Sequence, residues 1–182
     1  MRKLTMNELN RKSVEEFKIS DKTPVIAVLD NVRSMHNVGS VFRTADAFLI
    51  EAVYLCGYTP KPPHRDIQKT ALGATETVHW EYYGTTAEAV QKLSATGYRV
   101  WAVEQVESSI LLDKISAHPL PGNKNGKIAV IFGNEVSGVD ADVLKLCDGS
   151  IEIPQMGMKH SLNISVAAGI VLWELTKLLK QS

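Results

Sequence analysis

Three polar clusters in this 182-residue chain have residue types and spacings that could do chemistry. The first is DNVRSMHNVGSVFR (30–43), which follows the apolar run VIAVLD (25–30). The second is GNEVSG (133–138), after IAVIFG (128–133). The third is IPQMGMKHSLN (153–163), at the end of SIEIP (150–154). In open α/β sheets ligands bind at the carboxyl ends of strands, so three clusters in such positions carry more weight than any one. Each also has a plainer reading. Arg43 lies one helical turn after Gly39, off the apolar stripe, where a glycine could leave a notch or simply be tolerated. GNEVSG could be only a turn, yet Glu135 follows an apolar strand, where a carboxylate needs a partner. Ser161 could be the N-cap of the last helix, with Asn163 at N2, and a helix N-terminus also collects polar ligands.

The elements that must position these clusters follow from periodicity. Residues 25–30 and 52–57 read as buried strands. Between them Val38, Val41, Phe42, Ala45, Phe48 and Leu49 share one helical stripe, with Asn37 a suitable N-cap. Strand, helix, strand at this length implies a parallel sheet covered by helices. The pattern repeats through a strand at 77–83, a helix at 85–97, strands at 98–105 and 128–133, a helix at 139–147 and a long helix at 161–180. The loops at 57–76 and 106–127 are long enough to be functional candidates. The last helix carries Ile164, Val166, Ile170, Val171, Leu172, Trp173 and Leu175 nearly all round. It needs cover on more than one side, for which a second subunit is suited.

Length and composition predict one domain, with residues 1–20 a short basic extension and 21–182 the domain proper. No stretch reaches the ~20 apolar residues of a membrane span. The N-terminus has no apolar signal region, and two cysteines in apolar surroundings suit a reducing cytoplasm. Twenty basic and twenty acidic residues cancel, which is unusual for a nucleic-acid protein. Charge can nonetheless be segregated, as Arg2, Lys3, Arg11, Lys12, Lys18 and Lys22 crowd the N-terminus and Lys61, Arg65 and Lys69 one loop. The nucleotide fingerprints GxGxxG after a strand and GxxxxGK[ST] are absent, as are HExxH, paired CxxC and GxSxG. The histidines are scattered, so no metal is expected.

Taken together, N-x-x-x-x-x-N-x-G-x-x-x-R-T (31–44), GNExxG (133–138) and IPxxGxxxSLNxSVAAGI (153–170) resemble, in order and spacing, the three motifs of the SpoU, or TrmH-like, branch of the SPOUT methyltransferases. Gln155 stands where many members have methionine. The resemblance implies an α/β parallel-sheet SPOUT fold with a deep C-terminal trefoil knot, dimeric through the last helix. It implies S-adenosylmethionine as cofactor, held by Gly133, Ile153 and Leu162, with Val103, Glu104, Asn134, Gly138, Gly157 and Met158 in the surrounding wall. It implies methyl transfer to a ribose 2′-hydroxyl of tRNA or rRNA. Arg43 would reach the ribose and phosphate, Gly39 would give it room, Asn37 would order the loop, Glu135 would orient Arg43 or Asn37, and Ser161 and Asn163 would hold ribose and cofactor. Lys61, Arg65 and Lys69, beside Tyr58, suit RNA phosphates and a stacked base. A non-catalytic RNA-binding or assembly factor is the alternative; intact motifs disfavour it.

Overall fold

The computed structural model describes residues 1–5, 7–9, 11–115, 126–158 and 161–180. Among the described residues, seven parallel strands form one sheet: β1 (Thr23–Asp30), β2 (Ile50–Cys56), β3 (His79–Tyr83), β4 (Arg99–Val103), β5 (Ile110–Leu111), β6 (Ile128–Phe132) and β7 (Gly149–Glu152). Their spatial order is β3-β2-β1-β6-β4-β7-β5. The chain lays down β4 and β5 first and then returns twice, placing β6 between β1 and β4 and β7 between β4 and β5. All three clusters therefore leave the same edge of the sheet, from β1, β6 and β7. The end of β4 lies between the second and third.

Among the described residues, seven α-helices pack around the sheet: α1 (Val14–Ile19), α2 (Met35–Ala47), α3 (Arg65–Ala71), α4 (Ala74–Thr77), α5 (Thr86–Ala95), α6 (Ala141–Leu144) and α7 (Ile164–Lys180). Alternate residues of β1, β2, β4 and β6 enter opposite cores, as the two-residue side-chain period requires. Val25, Ala27 and Leu29 face Val41, Phe42, Val171 and Leu172 of α2 and α7. Ile26 and Val28 face Ala89, Val90 and Leu93 of α5 and Val143 of α6. Burial on both faces explains why these strands read as continuous apolar runs. Phe17 of α1 is buried in the first core, so the basic N-terminal stretch contributes packing as well as charge. Burial pushes the thiols of Cys56 and Cys147 up to about 12.

Several expectations are corrected. The stretch 57–76 is not a loop throughout, since it contains α3 and the start of α4. The helix expected over 139–147 is the single turn α6. Residues 116–125, within the second expected loop, lie outside the described residues. Helix α2 begins at Met35 and is capped by the Ser34 hydroxyl, which accepts from the Asn37 amide at 3.3 Å; Asn37 is inside the helix. Helix α7 begins at Ile164, and Asn163 takes the cap position expected for Ser161. The Asn163 side-chain oxygen accepts from the Ser165 amide at 2.9 Å.

Candidate active site

The three clusters are tied together by one chain of hydrogen bonds. Glu135, after β6, accepts from the backbone amides of Arg33 and Ser34, both at 3.0 Å, and from the Asn37 side-chain amide at 3.1 Å. Asn37 in turn accepts from the side-chain amide of Asn163 at 3.1 Å. The amides at the entry to α2 are orphan donors facing the positive end of the helix dipole, so a carboxylate there is favoured. Burial alone would push the Glu135 carboxyl up. The Arg33 and Ser34 amides, with Asn37, outweigh it and hold the group below the usual glutamate range. Glu135 thus engages Asn37 and not Arg43, and Asn163 is spent within the network.

Below this network lies a cleft of about 640 Å³, framed by the ends of β4, β6 and β7. Of the residues the resemblance assigns to the cofactor, Val103, Glu104, Gly133, Asn134, Gly138, Ile153 and Leu162 line it, as do Glu135, Ser161 and Asn163. Gly157 and Met158 do not; Met158 is exposed. The sequence reading gave no role to the lining residues Gln105 and Glu152, and noted Gln155 only for standing where many members have methionine. Their sequence signal is position alone: Gln105 lies two residues beyond β4, Glu152 ends β7 and Gln155 lies three residues beyond it. The lining has three carboxylates (Glu104, Glu135 and Glu152) and, among the described residues, no lysine or arginine.

The second-cluster loop is held by close approach. A Cβ on Gly133 would fall 2.2 Å from the Gly138 carbonyl carbon and the Val139 nitrogen. Gly138 adopts a φ of +69°, a region open to glycine at no steric cost. Glu104, at the end of β4, accepts from the Val139 amide at 3.1 Å, so its carboxylate braces this loop. Asn134 completes the turn, accepting from the Val136 and Ser137 amides and donating to the Asn31 carbonyl at 2.8 Å. Asn31 itself has a φ of 54°, which asparagine tolerates better than most residues. It opens the first motif, yet the sequence reading gave it no role.

The cations lie outside the cleft. Arg43 is exposed, about 9 Å along the α2 axis from Asn37 at 1.5 Å per residue. It has no hydrogen-bond or ion-pair partner among the described residues. The notch expected at Gly39 is filled: a Cβ there would meet Thr70 Oγ1 at 2.2 Å and the Ile67 carbonyl at 2.3 Å. Gly39 makes room for α3 rather than for a ligand, and the Thr70 hydroxyl clamps the pair by donating to the His36 carbonyl at 3.0 Å. That contact places Arg65 and Lys69 of α3 on a helix docked to the one bearing Arg43. Lys69 is paired with Asp66 at 2.7 Å, Lys61 lies 3.8 Å above the Tyr82 ring, and Arg65 is exposed. Arg33, also missed from sequence, is exposed, with its backbone held by Glu135.

The sequence profile of the SpoU rRNA Methylase family matches residues 24–173. The chain is 31% identical over 168 residues to the 23S rRNA (guanosine-2′-O-)-methyltransferase RlmB of Vibrio cholerae, covering 92% of this chain and 64% of that protein. It is 30% identical over 167 residues to the tRNA (guanosine(18)-2′-O)-methyltransferase of Thermus thermophilus, covering 92% and 81%. An AdoMet-bound rRNA methyltransferase from Sinorhizobium meliloti has a similar structure, with a TM-score of 0.76 and 25% identity over 86% of this chain and 57% of that one. The chain thus spans just under two thirds of its Vibrio relatives' length. With the profile covering most of its residues, the chain belongs to the SpoU rRNA Methylase family.

Proposed function

We propose that this protein is an S-adenosylmethionine-dependent RNA methyltransferase acting on a ribose 2′-hydroxyl of tRNA or rRNA. The observation that carries the proposal is the Glu135–Asn37–Asn163 chain, which joins three motifs at the mouth of an acidic cleft, with free cations outside it. The relatives named above, which methylate guanosine 2′-oxygens in rRNA and tRNA, support the same reading.

The residues present fit the cofactor. The cleft lies within the roughly 300–1,000 Å³ typical of small-molecule sites. Its carboxylates suit a cationic ligand, and Leu144, Ile151, Ile153 and Leu162 offer apolar wall for an adenine. Val103, Gly133, Asn134 and Gly138 frame it from the strand ends; Gly157 and Met158, within the third motif, lie outside its lining. When bound, S-adenosylmethionine supplies an electrophilic methyl group. The protein's own work is positioning and charge. Ser161 orients ligand at the cleft mouth, while Asn163, Asn37 and Glu135 hold the α2 and α7 entries in register. Arg43 binds the phosphate and ribose and stabilises negative charge developing on the 2′-oxygen. A guanidinium holds its protons tightly and is a poor base, so its part here is charge stabilisation.

Lys61, Arg65 and Lys69 would track the RNA backbone. The return of β6 and β7 between strands already laid down supports a chain threaded into a C-terminal trefoil knot. A homodimer through α7 is part of the proposal: Val166, Ile170 and Trp173 are exposed beside an apolar groove of about 720 Å³ lined by Phe48, Ile153, Pro154 and Ile170. The test is methyl transfer from radiolabelled S-adenosylmethionine to total tRNA and rRNA, with the product nucleosides mapped by mass. A 2′-O-methyl nucleoside is expected. Methylation on a base, or of an RNA with a 2′-deoxy nucleotide at the mapped site, would overturn the proposal.

A further inference from the structure

Tyr58 is 64% exposed, yet the loop that carries it is pinned at every turn. Its backbone amide donates to the Asn31 side-chain oxygen at 3.2 Å. Its hydroxyl accepts from the Asn134 side-chain amide at 3.3 Å. On either side, the Tyr82 hydroxyl donates to the Gly57 carbonyl at 2.8 Å, and the Thr59 hydroxyl joins the Leu29 carbonyl to the Val32 amide, each at 3.0 Å. Lys61, three residues after Tyr58, lies over the Tyr82 ring. An exposed tyrosine on an ordinary surface loop samples several rotamers. This ring is tethered through both its backbone and its hydroxyl, so one orientation is selected while most of its surface stays open.

The tethers also fix where the ring stands. Asn134 lines the acidic cleft, and Asn31 opens the first motif. Tyr58 therefore stands where these two clusters meet, with Arg65 on the same β2–β3 connection and free of any anionic partner among the described residues. We propose that Tyr58 is a preset stacking platform for an unpaired RNA base beside the methylated nucleotide. The inference rests on RNA being the substrate. Stacking on an aromatic face needs an unstacked base and is tolerant of its identity. The platform would thus hold a single-stranded or flipped-out segment, while base identity is read elsewhere.

Binding of total tRNA and total rRNA to wild-type protein, Tyr58→Phe and Tyr58→Leu, without cofactor, tests this. Tyr58→Phe keeps the ring and should stay within about threefold of wild type. Tyr58→Leu keeps apolar bulk without the π-face and should weaken binding roughly ten- to a hundredfold. That loss should leave the salt dependence unchanged, whereas Arg65→Ala should lower the slope by about one. A short single-stranded RNA carrying 5-iodouridine should photocrosslink to Tyr58. Equal binding by wild type and Tyr58→Leu would overturn the platform. So would a Tyr58→Phe defect as large as that of Tyr58→Leu, which would mark the Asn134 hydrogen bond as the function. Wild-type protein that binds neither RNA pool would overturn the RNA reading itself along with the platform.

Discussion

The side-chain amide of Asn163 donates to the side-chain oxygen of Asn37 across 126 residues of chain, at 3.1 Å. Each asparagine sits at or inside the start of a helix, and Glu135 closes the chain from a third loop. Replacing Asn163 by alanine leaves the Asn37 oxygen without this donor and α7 without its cap. A loss of about 1 kcal/mol in stability is expected from the cap alone. Turnover should fall further than stability, because α2 and α7 lose their shared register. Urea unfolding and methyl transfer measured on the same preparation check both; unchanged turnover would show that the link has no role in catalysis.

Arg43→Ala should leave the fold intact, since exposed substitutions usually move stability by only about ±0.5 kcal/mol. Cofactor affinity should also hold, because Arg43 does not line the cleft. Turnover on RNA should drop by roughly 10²–10³, the loss seen when a preorganised charge stabiliser is removed. Arg43→Lys should recover little, since an ammonium lacks the planar fork. Single-turnover rates with calorimetric cofactor binding separate these effects.

Gly39→Ala reverses the usual rule. In an exposed helix interior alanine is favoured over glycine by about 1 kcal/mol. Here the new methyl would be 2.2 Å from Thr70 Oγ1 and 2.3 Å from the Ile67 carbonyl. Forcing α3 away from α2 should cost about 1–3 kcal/mol, as overpacking does. A chemical-denaturation midpoint above wild type would contradict the close α2–α3 contact.

Acid should remove a definable part of the stability. Burial alone would raise the Glu81 carboxyl, but hydrogen bonds from Lys92, Tyr83 and His79 overcome it and bring the group down to about 2 from an ordinary 4.5. A carboxylate depressed on folding stabilises fully above its unfolded value, and that contribution is lost as pH falls toward the folded one. Stability should therefore decline through the window from 4.5 to about 2, and Glu81→Gln should flatten that decline. Urea midpoints across the window, for both proteins, provide the check.

The α7 face gives a prediction about assembly. Trp173, 56% exposed, packs tilted against Phe48 of the α2 terminus, with ring centroids 5.5 Å apart and planes at 51°, and borders the apolar groove. Ile170→Glu places a charge where the partner is proposed to sit and should convert a dimer into a monomer, since an unpaired buried ion costs several kcal/mol. Sedimentation equilibrium reads the outcome; a wild-type monomer at micromolar concentration would remove the dimer from the proposal.

Much of the architecture is set by local pattern. The apolar runs at 25–30, 52–57 and 128–133 announce buried strands because both faces of the sheet are covered. Thr85 and Glu88 form a capping box at the start of α5. The clusters fall at strand ends because polar residues must follow where the apolar run stops. What local pattern could not decide is which residues meet. Gly39 and Arg43 lie on the same side of a helix in any reading, but only packing shows that α3 fills the space over the glycine and leaves the arginine free. Asn37 is a plausible cap by type, yet the Ser34 hydroxyl takes that place and Asn37 turns to Glu135 and Asn163, 98 and 126 residues away. Tyr58 is legible in the sequence as a stacking candidate beside Lys61, Arg65 and Lys69, but only the structure shows Asn31 and Asn134 holding it. Helical and strand periods are properties of neighbouring residues and are written in the sequence. Hydrogen-bond partners are chosen through space, after the order β3-β2-β1-β6-β4-β7-β5 has brought distant loops to one edge.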